Sequence, residues 1–195
     1  MTEVVLASGN AGKLRELDEL LADAGIRLRA QSEFGVEPPP EHAPTFVENA
    51  LTKARHAARL SGLAAIADDS GLEVDALAGA PGVHSARYAG TDADDAANNA
   101  RLLAALAEVP AAQRSARYRA VLVFLRQPTD PAPVIVEATW EGWIASEVRG
   151  TGGFGYDPLF RLADGRTAAE LSAAEKNRCS HRARAARMLA ERLQS

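Results

Sequence analysis

Cysteine is nearly absent. Cys179 is the only one in 195 residues, which excludes an internal disulfide and a multi-cysteine zinc centre and fits a reducing compartment. Basic charge is also short. With 22 Lys and Arg against 26 Asp and Glu the net charge is −4, so a protein that holds long nucleic acid is disfavoured, while a local basic pocket for a small anion remains allowed. No apolar run approaches the roughly 20 residues a membrane helix needs. The opening Met1 to Leu6 has neither a basic segment nor a long apolar one. These absences lead to the expectation of a soluble, unprocessed, cytoplasmic protein with no nucleic-acid or membrane partner. Internal repeats and disordered linkers are lacking too. A chain of this length can bury a substantial core, either as one domain or as two intimately joined lobes.

Chemistry concentrates in Ala65-Ile66-Ala67-Asp68-Asp69-Ser70-Gly71-Leu72-Glu73-Val74. An apolar strand runs into paired carboxylates, a hydroxyl and a glycine, and adjacent acids at a strand end repel each other unless a cation or a nearby Lys or Arg compensates. Strand side chains alternate between faces, so one acid of the pair faces a given cleft. Asp69, nearer the expected turn, is the candidate for holding a hard cation. The same four residues, Asp-Asp-Ser-Gly, also fit a plain solvated turn.

Val4-Val5-Leu6-Ala7 reads as a buried strand that passes into Ser8-Gly9-Asn10-Ala11-Gly12-Lys13, after which Leu14, Leu17 and Leu21 set a helical spacing. Strand, glycine loop and helix suit a phosphate, with backbone amides at the helix start and Lys13 as a movable charge. This is not a P-loop: two residues rather than four separate the glycines, and Leu14 follows the lysine where that motif has Ser or Thr. An ordinary Asn/Gly connection also fits. Ile26 to Ala30 alternates like a half-exposed strand, and Pro38-Pro39-Pro40 forces an extended segment flanked by Glu37 and Glu41. Thr45-Phe46-Val47-Glu48 is a capping box opening a helix whose narrow apolar stripe is Phe46, Ala50, Ala54 and Ala57. Lys53 lies on or beside that stripe, where a lysine is unusual unless its ammonium reaches a cleft or water.

Further on, Gly79-Ala80-Pro81-Gly82 marks a turn, His84 and Arg87 are potential ligand contacts, and Asp94 and Asp95 are helix-start charges. Arg117 to Leu125 and Pro133 to Ile144 read as an antiparallel pair of strands. Strands interleaved with helices and then a hairpin argue for an α/β fold with a mixed sheet. Thr151 to Phe160 is a glycine loop carrying Phe154, Tyr156 and Asp157, suited to stacking a base or to plugging a core, with Asp157 either holding a ring N–H or organising the loop. Lys176, His181 and Arg182 cannot share one face of an uninterrupted helix, so their joint use requires a break near Ser180.

Together, Ser8 to Lys13, Thr45 to Ala50, Ala67 to Leu72, Gly153 to Pro158 and Ser180-His181-Arg182 resemble the inosine triphosphate pyrophosphatase family, in the family's order and across essentially the whole chain. The resemblance implies a two-lobed α/β fold with a long curved mixed β-sheet flanked by helices, an active-site cleft between the lobes, a homodimer, and Mg²⁺-dependent cleavage of purine nucleoside triphosphates to monophosphate and pyrophosphate. It assigns Ser8, Gly9, Asn10, Ala11, Gly12 and Lys13 to the triphosphate, Asp69 to the metal or to acid–base work, Lys53 to charge neutralisation and Ser70 to a neighbouring contact. Phe154, Gly155, Tyr156 and Asp157, with Lys176, His181 and Arg182, form the nucleoside end, where Lys176 is the donor to a 6-keto oxygen. For the second metal carboxylate Glu37 and Glu41 compete, with Glu41 preferred.

Overall fold

The computed structural model describes residues 2–194. Among these residues one mixed sheet has the strand order β2-β1-β3-β4-β5-β6, built from β1 (Thr2–Leu6), β2 (Ile26–Ala30), β3 (Ala64–Val74), β4 (Ser115–Leu125), β5 (Val134–Ile144) and β6 (Phe160–Arg161). Its helices are α1 (Ala11–Leu21), α2 (Phe46–Ser61), α3 (Asp95–Ala105), α4 (Ala173–Cys179) and α5 (His181–Gln194). β1 runs parallel to both β2 and β3, as the helical crossovers require. β4 returns against β3: Arg119 meets Glu73 and Arg117 meets Asp75, an opposed register. β5 opposes β4 in the same way, with Ile144 N–H donating to Arg114 O and Arg117 meeting Glu141. The mixed α/β sheet expected from the sequence is the one observed.

The chain divides into two compact units, one of residues 1–69, 120–138 and 181–195, the other of residues 70–119 and 139–180. The first unit's core packs Val4 and Leu6 of β1, Leu17 and Leu21 of α1, Ile66 of β3, and Ala185, Ala186 and Leu189 of α5. The second packs Leu72 and Val74 of β3, Leu102 and Leu106 around the end of α3, and an aromatic group of Tyr118, Trp140, Tyr156 and Phe160. The Tyr118 and Phe160 rings lie 4.6 Å apart and tilted, an arrangement their quadrupoles favour.

β3 corrects the sequence reading. Asp-Asp-Ser-Gly is no turn: the strand runs unbroken from Ala64 to Val74, so Asp68 and Asp69 lie in its middle. β1 pairs with the start of the strand, Ala64 to Ile66, and β4 is its neighbour on the other side. The alternation survives, since Asp68 and Asp69 have different side-chain partners.

Candidate active site

In the first unit α2 presents Lys53 inward. Thr45 caps the helix by accepting from Glu48 N–H, and Phe46, Ala50, Ala54 and Ala57 bury their stripe. Alanines leave room beside them for a long side chain, and Lys53 is only 6 % exposed. Its Nζ donates to Asp69 Oδ1 at 2.6 Å, to Glu41 Oε1 at 3.2 Å and to the Asp68 carbonyl at 3.2 Å. Lys13 Nζ reaches that carbonyl at 3.3 Å and Asp68 Oδ1 at 3.4 Å. Arg182 Nε donates to the other oxygen of that carboxylate, Asp68 Oδ2, at 2.5 Å and its Nη1 to Glu16 Oε2 at 2.6 Å. The cluster thus sets Lys13, Lys53 and Arg182 against Glu16, Glu41, Asp68 and Asp69, one carboxylate more than the cations.

Burial raises the pKa of Asp69, and the attraction of Lys53 does not cancel it. Lys13 moves the other way: burial lowers its pKa ahead of the opposing pull of Asp68, with Lys53 and Arg182 adding to the fall. For Lys53 and Arg182 burial also opposes the charge, but their carboxylate partners outweigh it and both pKa values are raised. Asp69 Oδ2 is buried and has no hydrogen-bond partner. An orphan hard oxygen, with Glu41 on the same lysine, fits a hard divalent cation that takes one or two protein carboxylates and completes its shell from phosphate and water. Among the described residues no three His, Cys, Asp or Glu side chains converge as a closed metal site. Glu37 is exposed and contributes its carbonyl to His56, so of the two competing acids Glu41 is the one turned to the cluster.

The glycine loop departs in part from expectation. Asn10 caps α1, and its Oδ1 accepts from Gly12 and Lys13 N–H at 2.8 and 3.1 Å, while Asn10 N–H donates to Ser8 Oγ. The amides of Gly12 and Lys13 are therefore engaged by the loop's own side chain, and Lys13 Nζ is the group this loop sends to the cluster. Gly9 and Ala11 are exposed there, and a side chain at Gly9 would meet open space. Ser70 follows Asp69 on β3 and is half-buried.

In the second unit Asp157 organises the aromatic loop. It is 2 % exposed; Oδ1 accepts from the Tyr118 hydroxyl at 3.2 Å, and Oδ2 accepts from Phe154 N–H at 3.0 Å and Lys176 Nζ at 2.6 Å. Gly153 sits at φ +71° where a Cβ would collide with that carboxylate, so glycine is required on both counts. Lys176 Nζ also lies 4.7 Å from the Phe154 ring centroid, in cation–π contact. Tyr156 is core, not platform: it is buried and its hydroxyl donates to Ser85 O at 2.7 Å. Ser85 Oγ in turn donates to Gly82 O and accepts from Leu72 N–H, tying the loop to β3.

The helix break falls at Ser180, whose extended backbone (ψ 161°) separates α4 from α5. Lys176 goes to the aromatic loop of the second unit, whereas His181 and Arg182 open α5 in the first, both buried. Arg182, expected at the nucleoside, has its guanidinium engaged by Asp68 and Glu16. Sequence reasoning missed Glu16, Tyr118, Ser85, Asp95 and Asn99, all of which act here through bonds to residues distant in the chain.

The first unit thus carries a buried lysine–carboxylate cluster and the second an aromatic loop fixed by a buried acid. Comparison narrows this. The model of the Ham1 family matches residues 4–192. The dITP/XTP pyrophosphatase of Thioalkalivibrio sulfidiphilus is 60% identical over 193 residues, covering 98% of each chain, and that of Escherichia coli O157:H7 is 54% identical over the full length of both. The solved HAM1 protein of Coxiella burnetii superposes with a TM-score of 0.90 at 50% identity, covering 100% of this chain and 99% of its own. The chain belongs to the Ham1 family.

Proposed function

We propose that this protein is a nucleoside triphosphate pyrophosphatase that converts the non-standard purine nucleotides ITP, dITP and XTP to their monophosphates and pyrophosphate, clearing deaminated purines. The observation that carries the reading is the meeting of Lys13 and Lys53 on the Asp68 carbonyl beside an Asp69 oxygen with no partner. Full-length relatives named dITP/XTP pyrophosphatase support it.

Lys13 and Lys53 neutralise the triphosphate, and Ser8 to Gly12 with Ser70 line its path. A divalent cation, Mg²⁺ by the hardness of the oxygen donors, would be held by Asp69 and Glu41 and would supply charge neutralisation at the phosphate oxygens. Asp69 Oδ2 accepts a proton from the water that attacks the α-phosphorus in line. Pyrophosphate departs on the lysine side. Catalysis of this kind is mostly positioning and electrostatics. Arg182 acts as a positioning residue that holds Asp68, while His181 is the nucleoside contact from α5.

In the second unit the Phe154 face stacks the base, and Lys176, held in place by Asp157, favours a 6-keto oxygen over the 6-amino group of adenine. No helix among the described residues is long and apolar enough to cross a membrane; the enzyme works in the cytoplasm as a homodimer. A nucleotide panel with Mg²⁺, its products separated by anion exchange, tests the reading. Monophosphate and pyrophosphate from ITP and XTP, with ATP slower, are expected; diphosphate and phosphate, or a preference for ATP, would overturn it.

A further inference from the structure

Helix α3 was expected to contribute only start charges, yet it grips the aromatic loop. Asp94 is the helix cap, accepting from Ala97 N–H at 2.8 Å. Asp95 is not needed for that, and its Oδ2 accepts from Gly155 N–H at 2.6 Å. One turn on, buried Asn99 donates through Nδ2 to Gly155 O at 2.8 Å and to Asp95 O at 2.7 Å. Both partners are carbonyls, so the amide orientation is forced: only the NH₂ end serves them. The consequence is that Asn99 Oδ1 is buried with no hydrogen-bond partner, a retained cost that the two carbonyl bonds must offset.

Gly155 is thus held at both its N–H and its C=O. The peptide unit that contains Gly155 N–H also contains the Phe154 carbonyl, and the Phe154 N–H is fixed by Asp157 Oδ2 at 3.0 Å. The Phe154 backbone is therefore pinned on each side, by a buried acid before it and by α3 after it. Phe154 is the half-buried aromatic of the loop, whereas Tyr156 lies in the core. Fixing a short glycine-flanked backbone at three points lowers the entropy of presenting that ring.

We infer that Asp95 and Asn99 are positioning residues for base recognition: they hold Phe154 ready, touching neither phosphate nor the reacting atoms. The inference rests on the proposed pyrophosphatase reading. It predicts that Asp95→Ala raises KM for ITP about 10-fold, the loss of one charge-assisted hydrogen bond, while kcat changes less than about 3-fold. Asp95→Asn keeps an acceptor for Gly155 N–H and should restore most of the affinity.

The experiment measures kcat and KM for wild type, Asp95→Ala, Asp95→Asn and Asn99→Ser, together with inhibition by inosine monophosphate and by inorganic pyrophosphate. The expected result is weakened inhibition by inosine monophosphate, unchanged inhibition by pyrophosphate, and rescue by Asp95→Asn. Equal loss of both inhibitors, or a fall in kcat with KM unchanged, would make the grip merely structural and overturn the inference. If Asp95→Ala does not fold, Asp95→Asn and Asn99→Ser decide by the same two inhibitors. Wild type that turns over no triphosphate would instead overturn the pyrophosphatase reading, and this inference with it.

Discussion

Lys53 Nζ donates to Asp69 Oδ1 at 2.6 Å, and the other oxygen of that carboxylate is buried without a hydrogen-bond partner. One oxygen is thus fixed by the protein and the other is the one that the proposed mechanism uses. Asp69→Asn keeps the size and an acceptor for Lys53 but removes the base and the anionic oxygen. Turnover should fall by about 10²- to 10⁴-fold, the usual worth of general-base assistance, with the thermal midpoint little changed. Steady-state kinetics beside a melting curve check this, and near-normal turnover in a folded variant would reject the role.

Lys53 is also structural. Its removal leaves Asp69 and Glu41 facing each other without their shared cation, and breaking a buried pair from one side costs about 3–5 kcal/mol. Lys53→Met should therefore destabilise strongly in urea unfolding, whereas Lys53→Met combined with Asp69→Asn should recover part of the loss. A double variant whose destabilisation equals the sum of the singles would show that the two groups are not coupled.

How much of this was legible beforehand varies with the range of the interactions. The α2 stripe and its misplaced lysine are readable because cap, stripe and Lys53 lie within one helix; a break near Ser180 was expected if Lys176, His181 and Arg182 serve one site, and the break is there, with Lys176 in the second unit and the other two in the first. The course of β3 was not readable: Ser70-Gly71 carries local turn chemistry, and the strand that continues through it lies beside β4, which is distant in sequence. The carboxylate partners of Arg182 were not readable because Glu16 and Asp68 lie 166 and 114 residues away in sequence. Asp95 and Asn99 reach Gly155 across 60 and 56 residues, with nothing local to announce it.

Glu175 links pH to the helix that carries Lys176. It closes a capping box at the start of α4, accepting from Ser172 N–H at 2.8 Å, and pairs with Arg166 at 3.0 Å. The Ser172 N–H, with Arg166 next, brings its pKa down from an ordinary 4.5 to about 2. The unfolded chain therefore binds this proton more readily than the folded one, so the contribution to stability is complete above pH 4.5 and is lost as pH falls towards 2. Urea unfolding of wild type and Glu175→Gln should show a wild-type advantage at neutral pH that disappears near the lower value. A gap independent of pH would mean the carboxylate charge plays no part in the cap.

The central claim is attack by water on the α-phosphorus next to Asp69. Hydrolysis of ITP in ¹⁸O-labelled water, with mass spectrometry of both products, tests it most directly. Label in the inosine monophosphate and none in the pyrophosphate is the predicted result; label in the pyrophosphate, or release of inosine diphosphate, would contradict it.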